Sequence, residues 1–159
     1  MKIKPSETAA ENARVLLPKM ARKYFAAGRK AVEGKQPPDE LHRFRLETKR
    51  FRYTLELFRP LYGPGLDRYL KALRELQGAL GHVSDHQAIA RVLADDRVLK
   101  KQIERGLKEK VKKLQHIWRA FDADGQLKRW RTYLSQEHPA PRTKPPARAA
   151  TKKAAARAS

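Results

Sequence analysis

Apolar residues recur along most of this chain at helical spacing, three and four residues apart. Strand-like alternation does not occur. Val15, Leu16, Met20, Tyr24 and Ala27 predict a first helix over residues 6–32, with Ser6 as its N-cap and Glu7 in its first turn. Pro18 predicts a kink or a break within it. Residues 34–38 read as a turn, Asp39 as the cap of a second helix reaching about Arg59, and Pro60 with Gly63-Pro64-Gly65 as its end. Leu66, Tyr69, Leu70, Leu73, Leu76 and Leu80 write the buried stripe of a third helix, which Gly81 is expected to stop. Ser84 with Gln87 reads as a capping box that opens a short helix over residues 85–94. Leu99, Ile103, Leu107, Val111, Leu114, Trp118 and Phe121 share one face of a long fourth helix. A last short helix near residues 127–134 carries Trp130 back onto the bundle.

The expected fold class is therefore all-α, an antiparallel helical bundle of four to five main helices. Residues 1–137 form the bundle. From residue 138 the chain is Pro, Ala, Lys and Arg with no apolar period and no carboxylate, so 138–159 read as a disordered basic tail.

Charge narrows the functional classes. Lys and Arg number 37 against 17 Asp and Glu, a formal net charge of +20. Six of these cations lie in the tail, which leaves +14 on the bundle. Charge of this size calls for a polyanionic partner such as nucleic acid, polyphosphate or an anionic surface. The absence of cysteine excludes disulfides and thiolate metal sites. The first seventeen residues lack the apolar core of a signal peptide, and no run reaches the roughly 20 apolar residues of a membrane span, so the expected location is cytoplasmic with no membrane partner.

The segment Leu41 to Phe58, LHRFRLETKRFRYTLELF, concentrates the chemistry. At about 100° per residue, His42, Arg45, Lys49, Arg52 and Glu56 fall within an arc of roughly 80°. Apolar residues flank this stripe on both sides: Leu41, Phe44, Phe51, Leu55 and Phe58 on one, Leu46, Tyr53 and Leu57 on the other. The pattern predicts a helix covered on two sides with a basic seam lining a groove. Like charges at these spacings repel by about 0.2–0.5 kcal/mol per pair, so the seam is unfavourable without an anion. Guanidinium groups grip phosphate oxygens through paired hydrogen bonds, Lys adds a point charge, and His adds a donor sensitive to pH. Glu56 reads as a local partner that orients Arg52 or Lys49. On the fourth helix Lys101, Arg105, Lys108, Lys112 and Arg119 lie away from the apolar stripe, where they serve equally as ligand contacts or as a solvated face. Arg14, Arg22 and Arg29 share a side of the first helix in the same open sense.

The sequence His42-x-x-Arg45-x-x-x-Lys49-Arg50-x-Arg52-Tyr53-x-x-Glu56, followed by Leu76-Gln77-x-x-Leu80-Gly81-x-x-x-Asp85, resembles the CHAD domain, the helical domain named for its histidine. The likeness is good from Leu41 to about Leu93 and extends weakly to Trp118. It implies a helical bundle that binds inorganic polyphosphate and carries no catalytic step, with His42, Arg45, Lys49 and Arg52 as leading contacts. Arg50 is a further contact off the seam, and Gln77 and Asp85 are structural. CHAD proteins usually pair two similar halves around a basic channel. Only one copy of the motif is present here, and His116-x-x-Arg119 is a poor echo of it, so either half a domain suffices or two chains pair to rebuild the channel, with a homodimer as the expectation.

Other chemistries find less support. His82, Asp85 and His86 lack a recognised ligand spacing, and neither a metal nor a cofactor is expected. Phosphoanhydride hydrolysis needs clustered carboxylates holding divalent ions, and no such cluster, Gly-rich phosphate loop or activated nucleophile is recognisable, so the chain reads as a non-enzyme. The competing reading is a sequence-nonspecific nucleic-acid-binding protein whose bundle and tail coat DNA or RNA through phosphates. Against it, the seam offers no Asn or Gln for base reading and no interleaved aromatics for stacking.

Overall fold

The computed structural model of the chain describes residues 5–34, 37–92 and 97–138. Five α-helices account for most of them: α1 (Ala9–Gly28), α2 (Pro38–Tyr62), α3 (Asp67–Val92), α4 (Arg97–Phe121) and α5 (Gln126–Ser135). A π-helical turn, Arg29–Glu33, extends α1, and a 3-10 turn, Pro64–Leu66, precedes α3. No strand occurs among the described residues. The expected disordered tail lies outside them apart from His138, whose ring packs 4.3 Å from that of Tyr133.

The helices run antiparallel to their neighbours. Arg52 meets Gln77, Glu56 meets Arg74 and Arg59 meets Asp67, so numbers rise on α2 as they fall on α3. Gly106 of α4 lies against His86 of α3, while the other ends of these two helices share a cavity. Tyr24 with Thr48 and Lys30 with Glu40 give the same sense for the first segment and α2, and Arg14 with Glu137 and Phe25 with Trp130 for α1 and α5. Hydrogen bonds and an ion pair then tie the end of α4 to the π-helical turn: Gln115 Nε2 donates to the Val32 carbonyl, Trp118 Nε1 to Glu33, and Arg29 grips Asp122 at 2.6 and 2.8 Å.

An aromatic cluster forms the centre. Phe25 contacts Trp118, Phe121 and Trp130, and Tyr24 stacks on Phe44 at 5.1 Å. Tyr24 is buried, and its hydroxyl shares a hydrogen bond of 3.0 Å with Thr48, itself bonded to the Phe44 carbonyl, so neither buried hydroxyl is left unpaired. Burial raises the Tyr24 pKa above its ordinary value and keeps it a neutral partner.

Several boundaries differ from the sequence expectations. The cap of α1 is Thr8, not Ser6: its hydroxyl accepts from the Glu11 N–H, and Glu11 answers the Thr8 N–H at 2.7 Å. The helix runs through Pro18 without interruption. Pro38 takes the first helical position of α2, which leaves Asp39 inside the first turn instead of at the cap. Pro60 does not end α2. The chain turns at Gly63, whose φ of 65° suits glycine and whose N–H bonds the Arg59 carbonyl. Gly81 does not stop α3, and the Ser84–Gln87 capping box does not form, because the helix is unbroken to Val92. Trp130 and Leu134 are buried, as the last short helix predicts.

Candidate functional site

The seam on α2 is positioned by its buried neighbours. Leu41, Phe44, Thr48, Phe51 and Leu55 face the core, which sets the rotation of the helix. His42 is then exposed, while Arg45, Lys49, Arg52 and Glu56 lie half-buried at the edge of the core. Successive members stand about 5 Å apart along the axis.

Arg52 is the most tightly held. Its Nε donates to Gln77 Oε1 at 2.9 Å and its Nη1 to Glu56 Oε1 at 2.6 Å, and its guanidinium lies 4.3 Å over the Tyr53 ring. Arg74 reaches the same Glu56 oxygen at 3.2 Å. One carboxylate therefore serves two guanidinium groups, and the trio retains a positive charge. Glu56 orients Arg52 as the sequence suggests. Gln77 acts structurally, by holding Arg52 from α3. The sequence reading missed Arg74, whose partner lies on another helix; its place three residues before Gln77 is the only local clue.

Arg45 is the converse case. Its Nε is buried and has no hydrogen-bond partner among the described residues. His42, Arg45 and Lys49 form no ion pair among the described residues, whereas Arg29, Lys30 and Arg59 do. Where Arg59 meets Asp67 the guanidinium pKa rises and the carboxyl falls, since hydrogen bonding favours both charged forms.

The expectation of cover on both flanks is overturned. Leu46, Tyr53 and Leu57 are 49%, 54% and 74% exposed. No element among the described residues packs over that side, and Arg50 shares this open face, away from the seam. The seam is thus an open shelf between a buried flank and an exposed apolar one. The described residues alone do not form a walled groove.

The fourth-helix cations Lys101, Arg105, Lys108, Lys112 and Arg119 are all exposed. Because α4 packs mainly on α3, the helix pairing does not gather them with the α2 seam. Arg22 is exposed and Arg14 and Arg29 are engaged in ion pairs with Glu137 and Asp122. His82 and His86 lie on α3, where His86 Nδ1 stands 3.0 Å from the His82 carbonyl. No helix among the described residues is long and apolar enough to cross a membrane.

Comparison with curated proteins and with solved structures gives no match. The family model of the CHAD domain, in contrast, matches residues 2–94. That region contains the whole of α1, α2 and α3, with the complete seam and its supports Glu56, Arg74 and Gln77. With more than half of its residues matched, the chain belongs to the CHAD domain family.

Proposed function

We propose that this chain is a non-enzymatic module that binds inorganic polyphosphate along the α2 seam. The observation that carries the reading is a row of three cations one helical turn apart with His42 in line, Arg45 and Lys49 without a carboxylate and Arg52 locked by Gln77 and Glu56. The buried, unpaired Nε of Arg45 adds to it. Leaving such a donor unsatisfied costs about 1–3 kcal/mol, a penalty that an anion drawing the guanidinium outward offsets. Family membership supports the same ligand class, since CHAD domains are associated with polyphosphate. A granule-targeting or scaffold role follows from binding without chemistry.

The exposed flank of Leu46, Tyr53 and Leu57 beside the seam supports a homodimer in which a second copy covers the shelf. The tail, with six cations and no carboxylate, adds charge that any polyanion would attract, nucleic acid included.

The test compares two charge-matched double variants in a competition titration of long-chain polyphosphate against duplex DNA at fixed salt. Arg45→Ala/Lys49→Ala should weaken polyphosphate binding by about tenfold or more, equivalent to about 1.4 kcal/mol, and Lys152→Ala/Lys153→Ala by far less. Arg52 is left in place because its removal also breaks two hydrogen bonds of the fold. Equal losses from the two variants would favour recognition of bulk charge, and with it the nucleic-acid-coating reading.

A further inference from the structure

A cavity of about 730 Å³ opens where the start of α3, the end of α4 and α5 meet. Its size falls in the range of small-molecule sites, about 300–1,000 Å³. It is separate from the seam. Arg68, Ala72 and Glu75 face it from α3, whereas Arg74 and Gln77 serve the seam from a side roughly 160° away around the same helix.

The cavity combines an aromatic wall with a cationic rim. Tyr69 and Trp130 are buried residues of the wall and Tyr133 is half-buried. Arg68, Lys128 and Arg129 line it, are exposed, and form no ion pair among the described residues, while Glu75 is the one carboxylate in the lining. Arg68 is held flat. Its guanidinium lies 4.7 Å over the Tyr69 ring and 5.6 Å over that of Tyr133, and its Nη2 donates to the Tyr69 hydroxyl at 3.0 Å. A guanidinium fixed on two rings keeps further N–H groups to offer a ligand, at small additional entropy cost.

We propose that this cavity binds a nucleoside phosphate, its base against the aromatic wall and its phosphates at Arg68, Lys128 and Arg129. Both halves of the site are needed to select that class. Inorganic polyphosphate has no ring to bury and gains nothing from the wall, and a simple carboxylate leaves most of the three rim cations unmatched. A base joined to a phosphate chain uses wall and rim together, since the base covers apolar surface of the wall while the phosphates meet the rim cations.

The full chain is titrated by calorimetry with ATP and with inorganic tripolyphosphate, without divalent ions and at matched ionic strength. In the chain carrying Arg45→Ala/Lys49→Ala, where the seam does not compete, ATP should bind about tenfold tighter or more, because the two ligands offer similar charge and differ in the nucleoside. It should change the fluorescence of Trp130, which lines the cavity, and Trp130→Phe should abolish that change. Lys128→Ala/Arg129→Ala alters two exposed side chains and should weaken ATP about tenfold, with the far-ultraviolet dichroism intact; Arg68→Ala serves as an independent second variant. Arg45→Ala/Lys49→Ala should leave ATP affinity within about twofold. Tripolyphosphate binding as tightly as ATP to the chain carrying Arg45→Ala/Lys49→Ala, or ATP binding lost with the seam variant and kept by the rim variants, would overturn the proposal. Because the seam variant is the control, failure of polyphosphate binding at α2 leaves this test readable.

Discussion

At Gly28 the chain has no room for a methyl group. A Cβ there would overlap the indole of Trp118 and stand 2.7 Å from Phe44 Cζ, both buried rings. Gly28→Ala should lower stability by about 1–3 kcal/mol, the usual cost of overpacking. Gly81 is the opposite: it sits inside α3 with nothing within 4 Å of a new Cβ. Gly81→Ala should raise stability by about 0.5–1 kcal/mol through helix propensity. Denaturant titration of both variants checks the pair, and the prediction fails if the two shifts share a sign. The same contrast marks the limit of reading single residues from sequence. Angular position sufficed to align His42, Arg45, Lys49 and Arg52, because helix geometry is local. It could not tell that Leu57 stays exposed while Leu55 is buried, since an apolar side chain reads alike whether its own bundle covers it or not.

At the level of elements, α1 owes its start to a reciprocal cap. Thr8→Ala should cost about 0.5–2 kcal/mol. The partner carboxylate, Glu11, has its pKa lowered below 4.5, first by the hydrogen bond from the Thr8 backbone. A depressed carboxylate pKa contributes stability that is complete above the unfolded value and is lost as pH falls through the folded one. Glu11→Ala should therefore melt below the parent protein at neutral pH, and the gap should close as pH drops from 4.5 through that lower value. A gap independent of pH would mean that the carboxylate charge plays no part in the cap. The helical class and most buried positions were legible because apolar residues recur at helical spacing, although the separate helix expected over 85–94 is the end of α3. The boundaries were less so. Gly81 and Ser84 resemble stop and start signals, yet both lie within α3, where burial of Leu80 and Val83 outweighs the local preferences. Only Gly63 and Gly125 among the described glycines take positive φ, and both stand at helix ends.

For the molecule as a whole, charge and apolar exposure pull in opposite directions. A net charge of +20 drives copies apart, while in the proposed homodimer the apolar residues left exposed on α2 draw them together. Salt screens the first, with a Debye length near 10 Å at 0.1 M, and leaves the second intact. Sedimentation should accordingly show dimer formation rising with ionic strength and with added polyphosphate, and Leu57→Lys should suppress it. A monomer at high protein concentration under both conditions would rule out the pairing. One further consequence belongs to the two tryptophans that reach the core from the end of the chain. Trp118 closes over Gly28 and Phe44, and Trp130 meets Phe25 and Phe51, so the rings of α1 and α2 are covered from α4 and α5. The family match ends at residue 94, before either tryptophan. The matched region is therefore shorter than the packed unit: residues 2–94 hold every seam residue but neither of the two indoles that cover the core face of α2.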